Sequence, residues 1–485
     1  MKSLKLNAFL NGLRSLLSVI FPLITFPYVS RVLSVNGIGK YNFSNSIISY
    51  FMLIAALGIS NYAVREGAKY RNNKRKINQF ANEVFTINAC SAIVSYVCLF
   101  ICLITFSKLH SYLICILIYS IQIGFSVISV DWLFTIYEDF VYITIRSILF
   151  QIISILLLFV FVRHSNDYLN YAAITVFSAV GSNVLNFYRA EKEHRIHLVF
   201  HFNWKKHMTP ILILFAANVA NLIYVNSDVT LLGLLKSNYV VGIYSVSSRI
   251  YTIIKSVLSA VLLVSVPRLA LLYGNKEFSK YKILLSKLTN MLVLLVLPAM
   301  IGLIMLSKQV VLIIAGNHFL RSVMSLRILA VAYIFSILAW ILSDCVLIPA
   351  KREKYLLYSM TISAVINIVF NIIMIPYWSE NAAAISTVLS ELAMFTINYH
   401  YAKDIVKEVF VSKDLLRTFT NSFVGCIGII IVCLGINIIF SSIIIKTILS
   451  VLFSVLVYGL ILVMLKNTYA SSLIKQGLDR MKGIF

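Results

Sequence analysis

Residues 419–440 read FTNSFVGCIGIIIVCLGINIIF, 22 positions without a charge. After Ser441–Lys446 the run resumes over 447–465 as TILSVLFSVLVYGLILVML. An α-helix rises 1.5 Å per residue, so a run of about 20 apolar residues crosses the ~30 Å hydrocarbon core of a bilayer. Fourteen such runs can be marked, at about 8–29, 42–64, 82–106, 112–135, 140–162, 168–188, 208–233, 240–265, 288–306, 323–348, 355–375, 382–400, 419–440 and 447–465. Nothing alternates apolar and polar over ~10 residues as the strands of a membrane barrel do. The expected fold is an all-α polytopic membrane protein of about 14 transmembrane helices.

Composition agrees with that expectation. The 485 residues are 60% hydrophobic and 12% charged, with a mean hydropathy of +0.90. Soluble domains carry about 25% charged residues. The longest connection, near 190–207, leaves no room for a soluble domain. A water-soluble enzyme, a secreted protein and a single-span receptor are all excluded.

The net charge of +24, from 42 Lys+Arg against 18 Asp+Glu, would suggest nucleic acid in a soluble protein. Here it follows the positive-inside rule, and no nucleic-acid partner is expected. With the N-terminus placed inside, the inner connections hold 29 Lys/Arg, the outer ones 8, and five lie within the runs. Both termini are therefore expected in the cytoplasm. Lys2 and Lys5 before the first run imitate a signal peptide, but Pro22, Pro27 and the succeeding spans make it an uncleaved first helix. The seven cysteines (90, 98, 102, 115, 345, 426, 433) fall within spans and read as packing residues rather than a disulfide framework.

A short motif recurs. Gly39-Lys40-Tyr41-Asn42-Phe43-Ser44 leads into span 2, and Gly242-Ile243-Tyr244-Ser245-Val246-Ser247 leads into span 8. Both read G-x-Y-x-x-S, with six spans between them, which fits a parallel repeat about the membrane normal. The expected division is an N-lobe of six spans (1–200), a C-lobe of six (201–412), and two additional C-terminal spans with a cytoplasmic tail (413–485). At the lobe junction, His194, His197 and His201 would share one face of a helix. The interleaved Phe200, Phe202 and Trp204 favour a segment lying in the membrane interface over a metal site.

A charge at the centre of a membrane helix costs roughly 2.5–3.5 kcal/mol on insertion scales, so each one needs a reason. The cations are Arg14, Arg146, Arg249, Lys255 and Arg327; the acids are Asp131, Asp228, Asp344 and Glu391. Arg14, Arg146 and Arg327 lie close enough to span ends to snorkel. Asp131 and Asp344 lie near inner ends and read as interfacial. Arg249 and Lys255 are nine or more residues from either end of span 8. Asp228 sits at the depth of Arg249 across the span 7–8 hairpin, so these two can form a structural ion pair. Lys255 has no obvious partner. Glu391, mid-span 12, is the acid suited to carrying a coupling ion. Asn218, Asn221 and Asn226, with Asn42 and Asn45, either line a polar cavity or join helices by hydrogen bonds. The deep charges are mainly positive, which suits an anionic cargo.

Two stretches carry a resemblance. One runs from Arg14 through Phe21-Pro22-Leu23-Ile24-Thr25-Phe26-Pro27-Tyr28-Val29-Ser30-Arg31-Val32-Leu33 to Gly37-Ile38-Gly39, Leu57-Gly58-Ile59 and Arg65-Glu66. The other is Asp131-Trp132-Leu133-Phe134, Glu138 and Tyr142-Ile143-Thr144-Ile145-Arg146. Together they resemble the Wzx-type flippases of bacterial O-antigen and capsule synthesis, in the multidrug/oligosaccharidyl-lipid/polysaccharide exporter superfamily. Thr135-Ile136 departs from that pattern, where many members carry Gln-Gly, and the 136–139 connection is acidic.

The resemblance implies a two-lobed alternating-access transporter with a cationic central cavity and no covalent chemistry. Its cargo would be an undecaprenyl-diphosphate-linked oligosaccharide, moved from the inner to the outer leaflet of the bacterial cytoplasmic membrane. Arg14, Arg249 and Lys255 are the substrate-binding residues it implies; Asp228 and Glu391 serve coupling or an ion pair. No cofactor is expected beyond a proton or Na⁺ gradient, and partners would be the lipid-linked oligosaccharide, membrane lipids and other polysaccharide assembly proteins. Competing readings are a multidrug cation antiporter of the same superfamily, a lipid II flippase, and a membrane polysaccharide polymerase or ligase. The antiporter would need a buried acid cluster, whereas spans 1–3 offer only Glu83. The polymerase would need a large outer loop, and the longest outer connection, 307–322, is short.

Overall fold

The computed structural model describes residues 21–471, and among them every regular element is a helix. They are α1 (21–32), α2 (Val35–Ala56), α3 (Ile59–Gly67), α4 (Lys74–Thr105), α5 (Leu113–Val127), α6 (Asp131–Ile136), α7 (Phe140–Phe161) and α8 (Tyr168–Val180). Next come α9 (Asn183–His194), α10 (Trp204–Leu235), α11 (Asn238–Gly274), α12 (Phe278–Ile314), α13 (Ser322–Trp340, continued by a π-helical turn), α14 (Glu353–Phe410), α15 (Lys413–Ile439) and α16 (Ile443–Met464).

Ten of these stretches are long and apolar enough to cross a bilayer unaided, and α11, bent by 49°, makes an eleventh. The 58-residue α14 is two spans in one, broken at Ser379 (φ 48°, ψ −128°) just after Pro376. Its two halves coincide with the expected runs at 355–375 and 382–400. The run at 168–188 is likewise split between α8 and α9, and α1 is the described end of the first. The expected runs are thus mainly helical where they are described, and that at 112–135 also divides, between α5 and α6.

The helices start where short polar side chains can hold their free N–H groups. Ser34 accepts from the Gly37 N–H (3.1 Å), Asn73 from Lys76 (3.0 Å), Asn203 from Lys206 (3.4 Å) and Ser412 from Leu415 (3.1 Å). One break was not expected. Leu57 (φ 46°) and Gly58 (φ 74°) interrupt span 2, and Gly58 also lies close to Leu214 of α10. Glycine suits that left-handed position because it has no Cβ to clash.

The chain divides into two compact units, Met1–Ser245 and Val246–Phe485. In the first, α2 packs against α4, α5 and α10, and α8 packs against α5 and α7. In the second, α12 and α14 flank α13, and α15 joins α12 to α16. The seven cysteines are free thiols.

Within the first unit, the glycine that opens each motif copy meets the chain just before the other copy. A Cβ on Gly39 would lie 1.8 Å from the Asn238 carbonyl oxygen, and one on Gly242 would lie 2.1 Å from that of Val35. Each glycine faces the residue four positions before the other. That exchange is what a two-fold relation between the copies requires. Only a residue without a side chain lets the two backbones come this close.

The segment after α9 corrects one expectation. α9 ends at His194, where Arg195 takes a left-handed conformation (φ 50°), so the three histidines do not share a helical face. The chain instead runs non-helically along α4: the His197 N–H donates to Asn82 Oδ1 (3.1 Å) and the Val199 N–H to Thr86 Oγ1 (2.9 Å). Burial holds His194 below the ordinary histidine value, and its Nδ1 donates to Asn78 Oδ1 (2.7 Å).

Candidate functional site

From Ser248 onward α11 carries a polar stripe through an otherwise apolar helix. Ser248, Arg249, Thr252, Lys255, Ser256 and Ser259 recur at three- and four-residue steps, which places them on one face. The hydroxyls turn inward on the helix: Thr252 donates to the Ser248 carbonyl and Ser256 to that of Thr252, both at 2.8 Å. The cations have no such local outlet. Arg249 is exposed and makes no ion pair among the described residues.

Lys255 overturns the expectation that it lacks a partner. Its ammonium donates to Glu391 Oε1 at 2.7 Å, and the Tyr251 hydroxyl reaches the same oxygen at 3.4 Å. Tyr251 stacks on Tyr333 (4.8 Å between ring centroids), whose hydroxyl donates to the Tyr251 carbonyl. The pair is lopsided: the Glu391 side chain is 3% exposed and that of Lys255 27%. Nearby, the two halves of α14 are joined by Asn367 Nδ2 donating to Ser386 Oγ (3.2 Å), with Asn371 donating to Asn367 (3.0 Å).

Asp228 lies in the first unit, buried, and accepts from the Tyr244 hydroxyl at 2.6 Å. Beside it Thr230 donates to Ser46 (3.1 Å) and meets the Tyr50 hydroxyl (3.1 Å). Of the asparagines, Asn42 donates to its own helix at the Ile38 carbonyl. Arg327 is exposed and donates to Ser307 Oγ (2.8 Å), while Asp344 accepts from the Trp340 indole. Arg14 lies outside the described residues.

Arg146 does not snorkel. Its side chain is 4% exposed and donates to Asp131 Oδ1 at 2.8 Å; Asn186 donates to the same oxygen at 2.5 Å. Asp131 is therefore a pairing residue as well as one near a span end. The acidic 136–139 connection is neutralised from two sides, Glu138 by Arg71 (2.7 Å) and Asp139 by Arg189 (3.0 Å). Sequence reasoning also missed a buried chain on the same unit. Tyr62 hydrogen-bonds His207 Nδ1 (2.7 Å), and His207 Nε2 meets Glu83 Oε2 (2.9 Å). Glu83 at a helix end and His207 at the start of the next unit of hydropathy were visible separately, but nothing in their spacing linked them.

The second unit also has an apolar groove of about 440 Å³, running past Pro298, Gly302 and Leu306 of α12 and Val451, Val455 and Tyr458 of α16. Pro298 and Gly302 leave room there because neither projects a long side chain.

Similarity to known proteins agrees with this architecture. The chain is 22% identical over 381 residues to a "Putative O-antigen transporter" of Shigella dysenteriae, covering 77% of this chain and 93% of that protein. Its fold matches a lipid II flippase MurJ in an inward closed conformation, with a TM-score of 0.73 and 14% identity, over 97% of this chain and 99% of the other. An inward-facing multidrug resistance transporter of the MATE family, in the MOP superfamily, matches with a TM-score of 0.57 and 14% identity, over 81% and 99%. Residues 4–272, more than half of the sequence, match the polysaccharide biosynthesis protein family, and to that family the chain belongs.

Proposed function

We propose that this protein is a flippase that moves undecaprenyl-diphosphate-linked oligosaccharide repeat units from the inner to the outer leaflet of the bacterial cytoplasmic membrane. The observation that carries the reading is the cationic stripe of α11, with Arg249 exposed and Lys255 partly exposed on an apolar helix. A diphosphate is the cargo group such a stripe recognises, because guanidinium binds phosphate oxygens through paired N–H donors. Arg14 completes the proposed cation set. The groove on α12 and α16 offers the polyprenyl tail an apolar surface while the headgroup is held.

The proposed mechanism is alternating access between an N-lobe (1–200) and a C-lobe (201–412), with 413–485 supplying two further spans and both termini in the cytoplasm. Glu391 is the proposed coupling group. A proton on its carboxylate would weaken the 2.7 Å contact and free Lys255 for the diphosphate; loss of that proton would recapture Lys255 and release the cargo. A multidrug cation antiporter would want acids where this stripe has cations, and the buried Glu83 is held by His207 and Gln79.

The test is reconstitution. Vesicles containing the full chain and a fluorescent undecaprenyl-diphosphate oligosaccharide should show protein-dependent flipping that responds to membrane potential or to a pH gradient. An organic cation accumulated in place of the lipid would overturn the reading.

A further inference from the structure

A second concentration of positive charge lies on the first unit. A pocket of about 540 Å³ is lined by Lys74, Arg75 and Asn78 at the start of α4 and by Lys192, Glu193 and Arg195 at the end of α9. Its one acid is engaged elsewhere: Glu193 accepts from Arg189 at 2.8 Å. None of the four pocket cations makes an ion pair among the described residues.

Two features make this more than a solvated face. Lys74 and Arg75 occupy the first turn of the 32-residue α4, and that turn contains no acid. The positive end of the helix dipole disfavours cations there, so their presence calls for an anion. Arg195 holds a left-handed backbone (φ 50°), a conformation in which arginine is strained and glycine is not. Arg195 lines the pocket from that position.

The neighbouring residues give its depth. Tyr188, Leu198 and Phe200 are exposed apolar side chains on the same stretch of chain. Aromatic and apolar residues beside a cluster of cations mark the boundary between headgroups and hydrocarbon. From this geometry we infer that the pocket binds the phosphate of an anionic phospholipid headgroup. Its lining includes none of the α11 cations, and it does not depend on the cargo assigned to them.

The experiment uses the full-length protein in detergent and measures binding of dioleoylphosphatidylglycerol, dioleoylphosphatidylcholine and inorganic phosphate by native mass spectrometry. Phosphatidylglycerol should be retained in preference to phosphatidylcholine. Each cation removed should weaken its binding about fivefold. Arg195→Gly is the informative variant, because it removes the charge while supplying the residue that the backbone favours, so it should fold at least as well as the parent. The double variant Lys74→Gln/Arg75→Gln should lose about 25-fold, whereas Lys276→Gln/Lys403→Gln in the second unit should lose less than about twofold. Equal losses in both double variants would overturn the site in favour of a diffuse positive face. Binding of inorganic phosphate as tight as that of the lipid would overturn the headgroup assignment. Unchanged lipid binding in Arg195→Gly and Lys74→Gln/Arg75→Gln would overturn both.

Discussion

The ion pairs Asp131–Arg146 and Lys255–Glu391 are inversions of one another. In the first unit the cation is the hidden partner, 4% exposed, and its aspartate is 32% exposed. In the second the carboxylate is hidden, 3% exposed, and the lysine is 27% exposed. The difference matters because the two hidden groups have different ways out. Arginine does not give up its proton in a protein, so a stranded Arg146 stays charged. A stranded glutamate can take up a proton and become neutral. The hidden member of the first pair therefore has no neutral form to fall back on, and that of the second pair does. The second pair's more exposed member is the positive one.

The sharpest way to break this comparison is Asp131→Ala. It should cost about 3–5 kcal/mol, because a buried charge is left uncompensated, and should show as loss of membrane-inserted protein in a fluorescent-fusion assay. Asp131→Ala with Arg146→Met should recover most of that abundance; failure to recover would mean the aspartate has another structural task. Arg249→Gln should lower glycan export about 10- to 100-fold at normal abundance, as expected for a lost charge-assisted contact. Arg249→Lys should fall between. If Arg249→Gln leaves export at the parent level, Arg249 is not a cargo ligand.

Lys255→Gln sharpens the contrast. Glu391 keeps its contact with the Tyr251 hydroxyl, so abundance should hold while flipping falls about tenfold, from the loss of one cation–phosphate contact. Glu391→Gln should leave flipping active but indifferent to a pH gradient; retained pH dependence would remove Glu391 from coupling. The smallest effect belongs to Glu138→Gln. Its pair with Arg71 is about 40% exposed on both sides, and such pairs contribute roughly 0–1 kcal/mol, so thermal melting should hardly move.

The span pattern was legible in the sequence because hydropathy over 20 residues depends on no distant contact. The deep cations were legible for the same reason, since a charge amid apolar residues declares itself. Their partners were not. Glu391 is 136 residues from Lys255, and hydropathy carries no information about which span packs on which. Arg146 could have been matched to Asp131, 15 residues away, but the turn at Val130 (φ 39°) that aims the aspartate has no sequence signature. The same holds for the break at Leu57 and for Arg195, where a non-glycine residue occupies a left-handed position.

The spacing of the two pairs also bears on how the chain is made. At 5–20 residues per second, Asp131 and Arg146 leave the ribosome about 1–3 s apart and can enter the membrane as one closed hairpin. Lys255 must wait roughly 7–27 s for Glu391. Through that interval the ammonium has to be sheltered by the translocon, by water or by lipid phosphate. A cation that stays partly exposed even in the finished pair makes the α11 segment a difficult part of the nascent chain to hand over to the bilayer.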